Sequence, residues 1–234
     1  DVYALRLAGD TSALTAPGQF VNIALPGFYL RRPISVCDWG PGALRLIYKV
    51  VGRGTAALAE AGPGRELELL LPLGNGFSIP REIKAPLLMG GGVGTPPLYG
   101  LARALAERGL APTVVLGFRT GEDVFLAEDF LDLGCKVFVA TQDGSRGIKG
   151  FGSTLPALQD AAHDCYFTCG PQGMLKAVHG ALSIPGQLSF EERMACGFGA
   201  CMGCSCKTLY GDKRICRDGP VLQSEEVRWE EDAE

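Results

Sequence analysis

The chain's 234 residues, 47% of them hydrophobic, suit one large or two modest globular domains with a packed core. Its net charge of −4, with Lys and Arg scattered rather than clustered, excludes the basic stripe that a nucleic acid partner requires. The longest apolar runs, such as 67–73, are broken by charge or proline and fall short of the roughly 20 residues that a membrane crossing needs.

The first 80 residues predict short β segments at 2–7, 19–25, 34–38, 44–51 and 66–71, separated by turn residues, a spacing that points to a small antiparallel β-barrel. One short helix is expected over 56–61, capped by Thr55 and ended by Gly62. Two segments of this half have phosphate-binding chemistry. Arg32-Pro33-Ile34-Ser35 opens a β segment and offers a guanidinium and a hydroxyl, and Gly52-Arg53-Gly54-Thr55 offers backbone amides ahead of a helix. Taken singly, each is also an ordinary loop or helix start.

From residue 85 apolar strands alternate with helical patterns, which argues for a parallel sheet with crossover helices. Strands are expected at 86–89, 113–117, 136–141 and 165–168. In the helix expected over 98–108, Leu98, Leu101, Ala102 and Leu105 share one face. Between that first strand and helix runs Gly90-Gly91-Gly92-Val93-Gly94-Thr95-Pro96-Pro97. Such a turn lets a dinucleotide pyrophosphate reach the helix N-terminus, with Gly91, Gly92, Gly94 and Thr95 as the contact residues. The spacing differs from the Rossmann pattern, and no Walker lysine follows. Cys169-Gly170-Pro171 follows a later strand and is expected to face the same cleft, because ligands gather at strand carboxyl ends. Asp143, after another strand, is placed to accept a ribose hydroxyl, favouring NAD over NADP, although Arg119, Arg146 and Lys149 lie nearby.

The last 49 residues, 186–234, form a Gly- and Cys-rich lobe expected to be organised by its metal. Five of the nine cysteines fall within 21 residues. Cys196, Cys201 and Cys204 read C-x4-C-x2-C, with Cys216 after eleven more residues, which is the plant-type spacing of a 2Fe-2S cluster. Gly197, Gly199 and Gly203 let the chain wrap closely, with amides aimed at the sulfurs. A structural zinc site would instead use Cys201, Cys204, Cys206 and Cys216; on the cluster reading Cys206 is unligated. The dispersed Cys37, Cys135, Cys165 and Cys169 read as buried thiols of a reducing compartment. With no hydrophobic leader ahead of them, a cytoplasmic location is expected.

With these motifs in this order, the chain resembles the electron-transfer subunits of type B dihydroorotate dehydrogenases, a family within the ferredoxin reductase superfamily. The likeness spans nearly the whole chain and also includes Tyr48-Lys49, Gly74-Asn75-Gly76-Phe77, Gly117-Phe118 and Cys216-Arg217-Asp218-Gly219-Pro220. It implies an FAD domain over 1–82, an NAD domain over 83–185 and a cluster lobe over 186–234. It assigns FAD contacts to Arg32, Pro33, Ile34, Ser35, Ile47, Tyr48, Lys49, Gly54 and Thr55, and cluster ligation to Cys196, Cys201, Cys204 and Cys216. It further implies an FMN-containing catalytic subunit that oxidises dihydroorotate, a heterotetramer of two plus two, and a place in pyrimidine biosynthesis. The electron order implied is partner FMN, 2Fe-2S, FAD, NAD, since a flavin joins hydride to single-electron chemistry. No residue of this chain is expected to act as a general acid or base. Two other readings carry different partners: a related FAD and 2Fe-2S subunit serving ferredoxin, hydrogenase or sulfide chemistry, and a zinc-containing nucleotide sensor.

Overall fold

The structure, a computed structural model, describes residues 1–152 and 162–229. Its N-terminal half is a five-stranded antiparallel sheet of β1 (Val2–Ala8), β2 (Phe20–Ile23), β3 (Arg32–Gly40), β4 (Ala43–Lys49) and β5 (Leu69–Leu73), in the order β1-β4-β3-β2-β5. Alternation explains its curl around a core: Val21 and Ile23 of β2 and Leu44, Leu46 and Tyr48 of β4 turn inward onto Leu14, Leu25 and Leu58. Helix α1 (Arg53–Ala59) starts earlier than expected, so Thr55 lies inside it rather than capping it. The Thr55 hydroxyl instead reaches back, accepting from the amides of Val51 (2.9 Å) and Gly52 (3.2 Å). This ties down two amides that the helix itself leaves unpaired.

The second half is built on β6 (Pro86–Gly91), α2 (Thr95–Ala106), β7 (Thr113–Phe118), α3 (Ala127–Asp132), β8 (Lys136–Thr141), β9 (Ile148–Lys149), β10 (Cys165–Cys169), α4 (Gln172–Ala181) and β11 (Gly186–Ser189). The central strand β6 is buried on both faces, which is why it reads as an unbroken apolar run. On α2 the expected face holds: Leu98, Leu101, Ala102 and Leu105 are all fully buried. Each leucine there contributes about 2 kcal/mol of burial. Pro96 and Pro97 sit in the first turn, where no amide hydrogen is missed.

The C-terminal segment adds the hairpin β12 (Ser205–Thr208) and β13 (Gly211–Arg214), then β14 (Val221–Gln223). The structure differs here from a lobe organised by its metal alone. Strands β11 and β14, both within the expected 186–234 lobe, complete the seven-stranded sheet β14-β11-β10-β6-β7-β8-β9. Gly186 to Ser189 run parallel to β10, and β14 pairs antiparallel with β11. The lobe is also seated by a core: Cys204, Ile215, Cys216, Leu222 and Val227 pack in one cluster with Phe20 and Leu87. Strand segments this short carry too little periodicity to be read alone.

The two halves meet through charge and packing. Arg103 of α2 pairs with Asp38 of β3 at 2.9 Å, and Arg45 of β4 pairs with Asp129 of α3 at 2.8 Å. Gly100 brings α2 close enough that an added Cβ would stand 3.0 Å from the Cys37 carbonyl. Among the described residues no helix is long and apolar enough to cross a membrane.

Candidate functional site

Strand β3 opens with Arg32 to Ser35 and β4 closes with Ile47 to Lys49, and these two segments form one wall of a cavity of about 360 Å³. Thr55 of α1 and Phe20 of β2 continue that wall. The opposite wall comes from strand ends of the second half: Cys169 at the end of β10, Ser189 at the end of β11, then Phe190, Glu191, Glu192 and Met194, with Pro220 beyond. The cavity thus lies across the seam of the two halves. Gly54 does not border it. Its role is to admit Arg32, because a Cβ at Gly54 would fall 1.8 Å from Arg32 Nε. The Arg32 guanidinium also lies over the Phe28 ring at 4.8 Å and donates to the Leu30 carbonyl.

A second hollow, bordered by Phe28, Arg32, Val51, Gly52, Arg53, Gly54 and Thr55, continues from the first and shares Arg32, Val51 and Thr55 with it. Two guanidinium groups and a glycine turn in one hollow match a pyrophosphate. The larger cavity, part apolar and part polar, matches a flat ring system. These residues fit FAD.

The third space, about 580 Å³, opens on the other side of the glycine turn and is lined by Gly91, Gly92, Gly117, Phe118, Arg119, Asp123, Phe125, Gln142, Pro171 and Met174 among others. Lys49 and Val93 border both this cleft and the flavin-sized cavity. A nicotinamide held here would therefore meet a flavin at that junction. The expected NAD residues divide in role. Gly91 and Gly92 line the cleft, whereas Gly94 permits packing: a Cβ there would stand 2.3 Å from the Cys169 carbonyl oxygen. Thr95 is fully buried under Gly90 rather than in the cleft, and Gly170 packs against Gly91. Asp143 is not among the cleft-lining residues. Its Oδ1 accepts from the amide (3.0 Å) and hydroxyl (2.7 Å) of Ser145, contacts that lower its pKa.

Two acid groups around the flavin-sized cavity are shifted by their surroundings. Burial raises the Cys169 thiol, and burial likewise raises the Glu191 carboxyl, which borders the cavity. The sequence alone does not single out Glu191, Phe190 or Met194. The only local sign was their position just ahead of Cys196.

In the cysteine lobe, Gly197 and Gly199 adopt positive φ (76° and 92°), curling 196–201 so that its amides face the thiols. The Cys201 amide lies 3.5 Å from Cys196 Sγ, and the Cys216 amide donates to Cys204 Sγ at 3.4 Å. Burial works to raise the Cys196 thiol, but the amides of Phe198 and Cys201, the Cys201 thiol and the Ala200 amide together outweigh it and bring the thiol down to about 6. Cys216 is pushed up to about 12 by burial and by the adjacent Cys204. A ring of amides aimed at thiol sulfurs suits a negatively charged, thiolate-bound group, so the loop fits a 2Fe-2S cluster. Among the described residues no group of three or more His, Cys, Asp and Glu side chains is gathered around a point for a single metal ion. Cys206 lies apart on β12, opposite Lys213 and packed against the core, with its thiol raised to about 11 by burial. Arg214 braces the loop: it donates to the Gly199 carbonyl (2.9 Å) and pairs with Asp218 (3.1 Å).

Comparison with known proteins agrees with this geometry. The family model described as the iron-sulfur cluster binding domain of dihydroorotate dehydrogenase B matches residues 191–228. The dihydroorotate dehydrogenase B (NAD(+)) electron transfer subunit of Fusobacterium nucleatum is 40% identical, over 98% of this chain and 94% of that protein. Its counterpart from Geobacillus kaustophilus is 42% identical, over 96% and 92%. Among solved structures, a chain of an NADH-dependent reduced ferredoxin-NADP oxidoreductase, studied for flavin-based electron bifurcation, is similar with a TM-score of 0.86 and 33% identity. That match covers 98% of this chain and 86% of that one. The cytochrome b5 reductase domain of Ulva prolifera nitrate reductase, at 19% identity and a TM-score of 0.65, shares the fold.

Proposed function

The chain belongs to the family of dihydroorotate dehydrogenase B electron transfer subunits, and from that premise we propose that it carries electrons released by dihydroorotate oxidation in a catalytic partner to NAD+. The observation that carries the reading is the adjacency of three sites. The cleft and the flavin-sized cavity meet at Lys49 and Val93, and Met194 and Pro220 join that cavity to the segments bearing Cys196 and Cys216. When bound, FAD and the 2Fe-2S cluster supply the conversion between a two-electron hydride and single electrons.

The chain's own work is to bind and to align. Arg32 and Arg53 hold the pyrophosphate, with Gly54 making room for Arg32. Pro33, Ile34, Ser35, Ile47, Tyr48 and Lys49 would line one side of the cavity that receives the flavin, and Cys169, Phe190 and Glu191 the other. Gly91 and Gly92 let the nicotinamide cofactor approach the backbone closely. Cys196, Cys201, Cys204 and Cys216 hold the cluster, with loop amides compensating its charge. The partner carries FMN and assembles with this chain as two plus two. It docks on the outer face of the lobe, where Phe198, Met202, Leu209 and Tyr210 are each more than half exposed.

The test is the absorption spectrum of protein purified without oxygen, before and after NADH, with flavin, iron and sulfide assayed on the same sample. A flavin band over broad iron-sulfur absorption that bleaches with NADH is expected. A colourless protein that reconstitution cannot colour would sink the reading. The likeness to the ferredoxin-NADP oxidoreductase chain favours one second reading, a subunit of similar cofactors serving ferredoxin. Orotate formation coupled to NAD+ reduction by the purified complex separates the two.

A further inference from the structure

Strand β2 contains a residue that its packing does not call for. Val21 and Ile23 face the core of the five-stranded sheet, while Phe20 and Asn22 share the opposite face, toward the cysteine lobe. Phe20 packs there with Cys204, Ile215 and Cys216. Asn22, only 1% exposed, donates from Nδ2 to the carbonyl of Cys196 at 3.0 Å. Its Oδ1 is buried with no hydrogen-bond partner among the described residues. A half-satisfied amide in a buried strand is costlier than an apolar side chain of the same size, so stability alone does not account for it.

The contact is closely fitted from the other side. A Cβ at Gly197 would stand 2.4 Å from Asn22 Nδ2, and Gly197 holds a φ of +76°, so the loop at this point is shaped to receive the amide. The backbone of Asn22 is paired with Pro33, one of the residues walling the flavin-sized cavity. A single hydrogen bond thus joins the flavin-binding strand pair to the backbone of a cysteine expected to ligate the cluster. The opposite end of the lobe is anchored independently. The Asn75 amide donates to the Gly219 carbonyl at 2.8 Å, and its side chain exchanges hydrogen bonds with Val221 at 2.8 and 3.1 Å.

Resting on the function proposed above, we propose that Asn22 is a positioning residue that sets the Cys196 end of the cluster loop against the flavin site. Because Asn75 keeps the lobe docked, removing the Asn22 donor displaces the loop without releasing it.

The test compares wild type with Asn22→Leu, which keeps the bulk but lacks the donor, and Asn22→Ala, in full-length protein purified without oxygen. Flavin, iron and sulfide are assayed, flavin bleaching and cluster bleaching after NADH are followed in one stopped-flow trace, and the reduced cluster is examined by electron paramagnetic resonance. The expected result is normal cofactor content, with cluster bleaching slowed by roughly tenfold or more relative to flavin bleaching and with shifted g-values. Wild-type rate and spectrum in both variants would overturn the inference while leaving the proposed function intact. Loss of iron in both would also overturn it, since Asn22 would then hold the lobe folded rather than placed. A wild-type protein without flavin or iron would overturn the proposed function, and this inference with it.

Discussion

Lys49, at the end of β4, and Val93, in the glycine turn, border both the cleft beside that turn and the flavin-sized cavity. They come from different halves of the fold, so the junction depends on the docking of one sheet against the other. If hydride passes at this junction, filling it blocks transfer without emptying either site. Val93→Phe is expected to keep its flavin while slowing NADH-dependent flavin bleaching by roughly 100-fold, the scale of a 1 Å misplacement of reacting atoms. Stopped-flow absorbance checks this, and an unchanged rate would place the transfer elsewhere.

Gly54 is predicted to govern flavin content through Arg32. A methyl group at this position collides with the guanidinium at 1.8 Å and displaces it from the hollow it lines with Arg53. Overpacking of this kind costs about 1–3 kcal/mol, so Gly54→Ala is expected to weaken flavin binding by roughly 10- to 100-fold. Arg32→Ala removes the charge-assisted contact itself and is expected to act similarly. Flavin released per protein during gel filtration measures both. Full retention by Gly54→Ala would show that Arg32 does not hold the phosphates.

Much of this site was legible where its signal is local. The cysteine spacing, the glycine turn ahead of α2 and the apolar face of Leu98, Leu101, Ala102 and Leu105 each lie within a few turns of chain. The far wall of the flavin-sized cavity was not legible. Phe190, Glu191, Met194 and Pro220 reach Arg32 only because β11 and β14 join the large sheet, a pairing across distant segments that no short window records. The brace of Arg214 on Gly199 and Asp218 was hidden for the same reason. Thr55 shows the reverse case: its residue type signals a helix start, but the bond it makes runs backward to Val51 and Gly52.

The seam between the halves is predicted to weaken as pH rises from the acid side. Burial raises the Asp38 carboxyl, and the Arg103 guanidinium offsets this only in part. A carboxyl whose folded pKa is raised binds its proton more tightly when folded. Its stabilisation is therefore full below the unfolded value and is lost as pH rises through the folded value. Asp38→Asn removes this dependence. Its melting temperature relative to wild type is expected to climb from about pH 4 to about pH 7, the side on which carboxylates ionise. A difference that stays constant over that range would contradict the assignment.

The cysteine assignments separate through two single substitutions. Cys201 lies in the amide-lined loop, whereas Cys206 lies on β12 facing the core. If Cys201 is a ligand and Cys206 is not, Cys201→Ser loses the reduced-cluster resonance while Cys206→Ser retains it with full iron. A half-buried Cys206 thiol replaced by a hydroxyl costs up to about 1–3 kcal/mol of stability, so a lowered melting temperature with intact iron is the expected pattern. Function should divide along the same line. Cys201→Ser is expected to spare NADH-driven reduction of a dye that takes electrons from flavin, because Lys49, Val93 and Arg32 are untouched, and to abolish turnover coupled to the partner. Orotate-linked turnover that survived in Cys201→Ser would mean that electrons reach the flavin by a route that bypasses the loop.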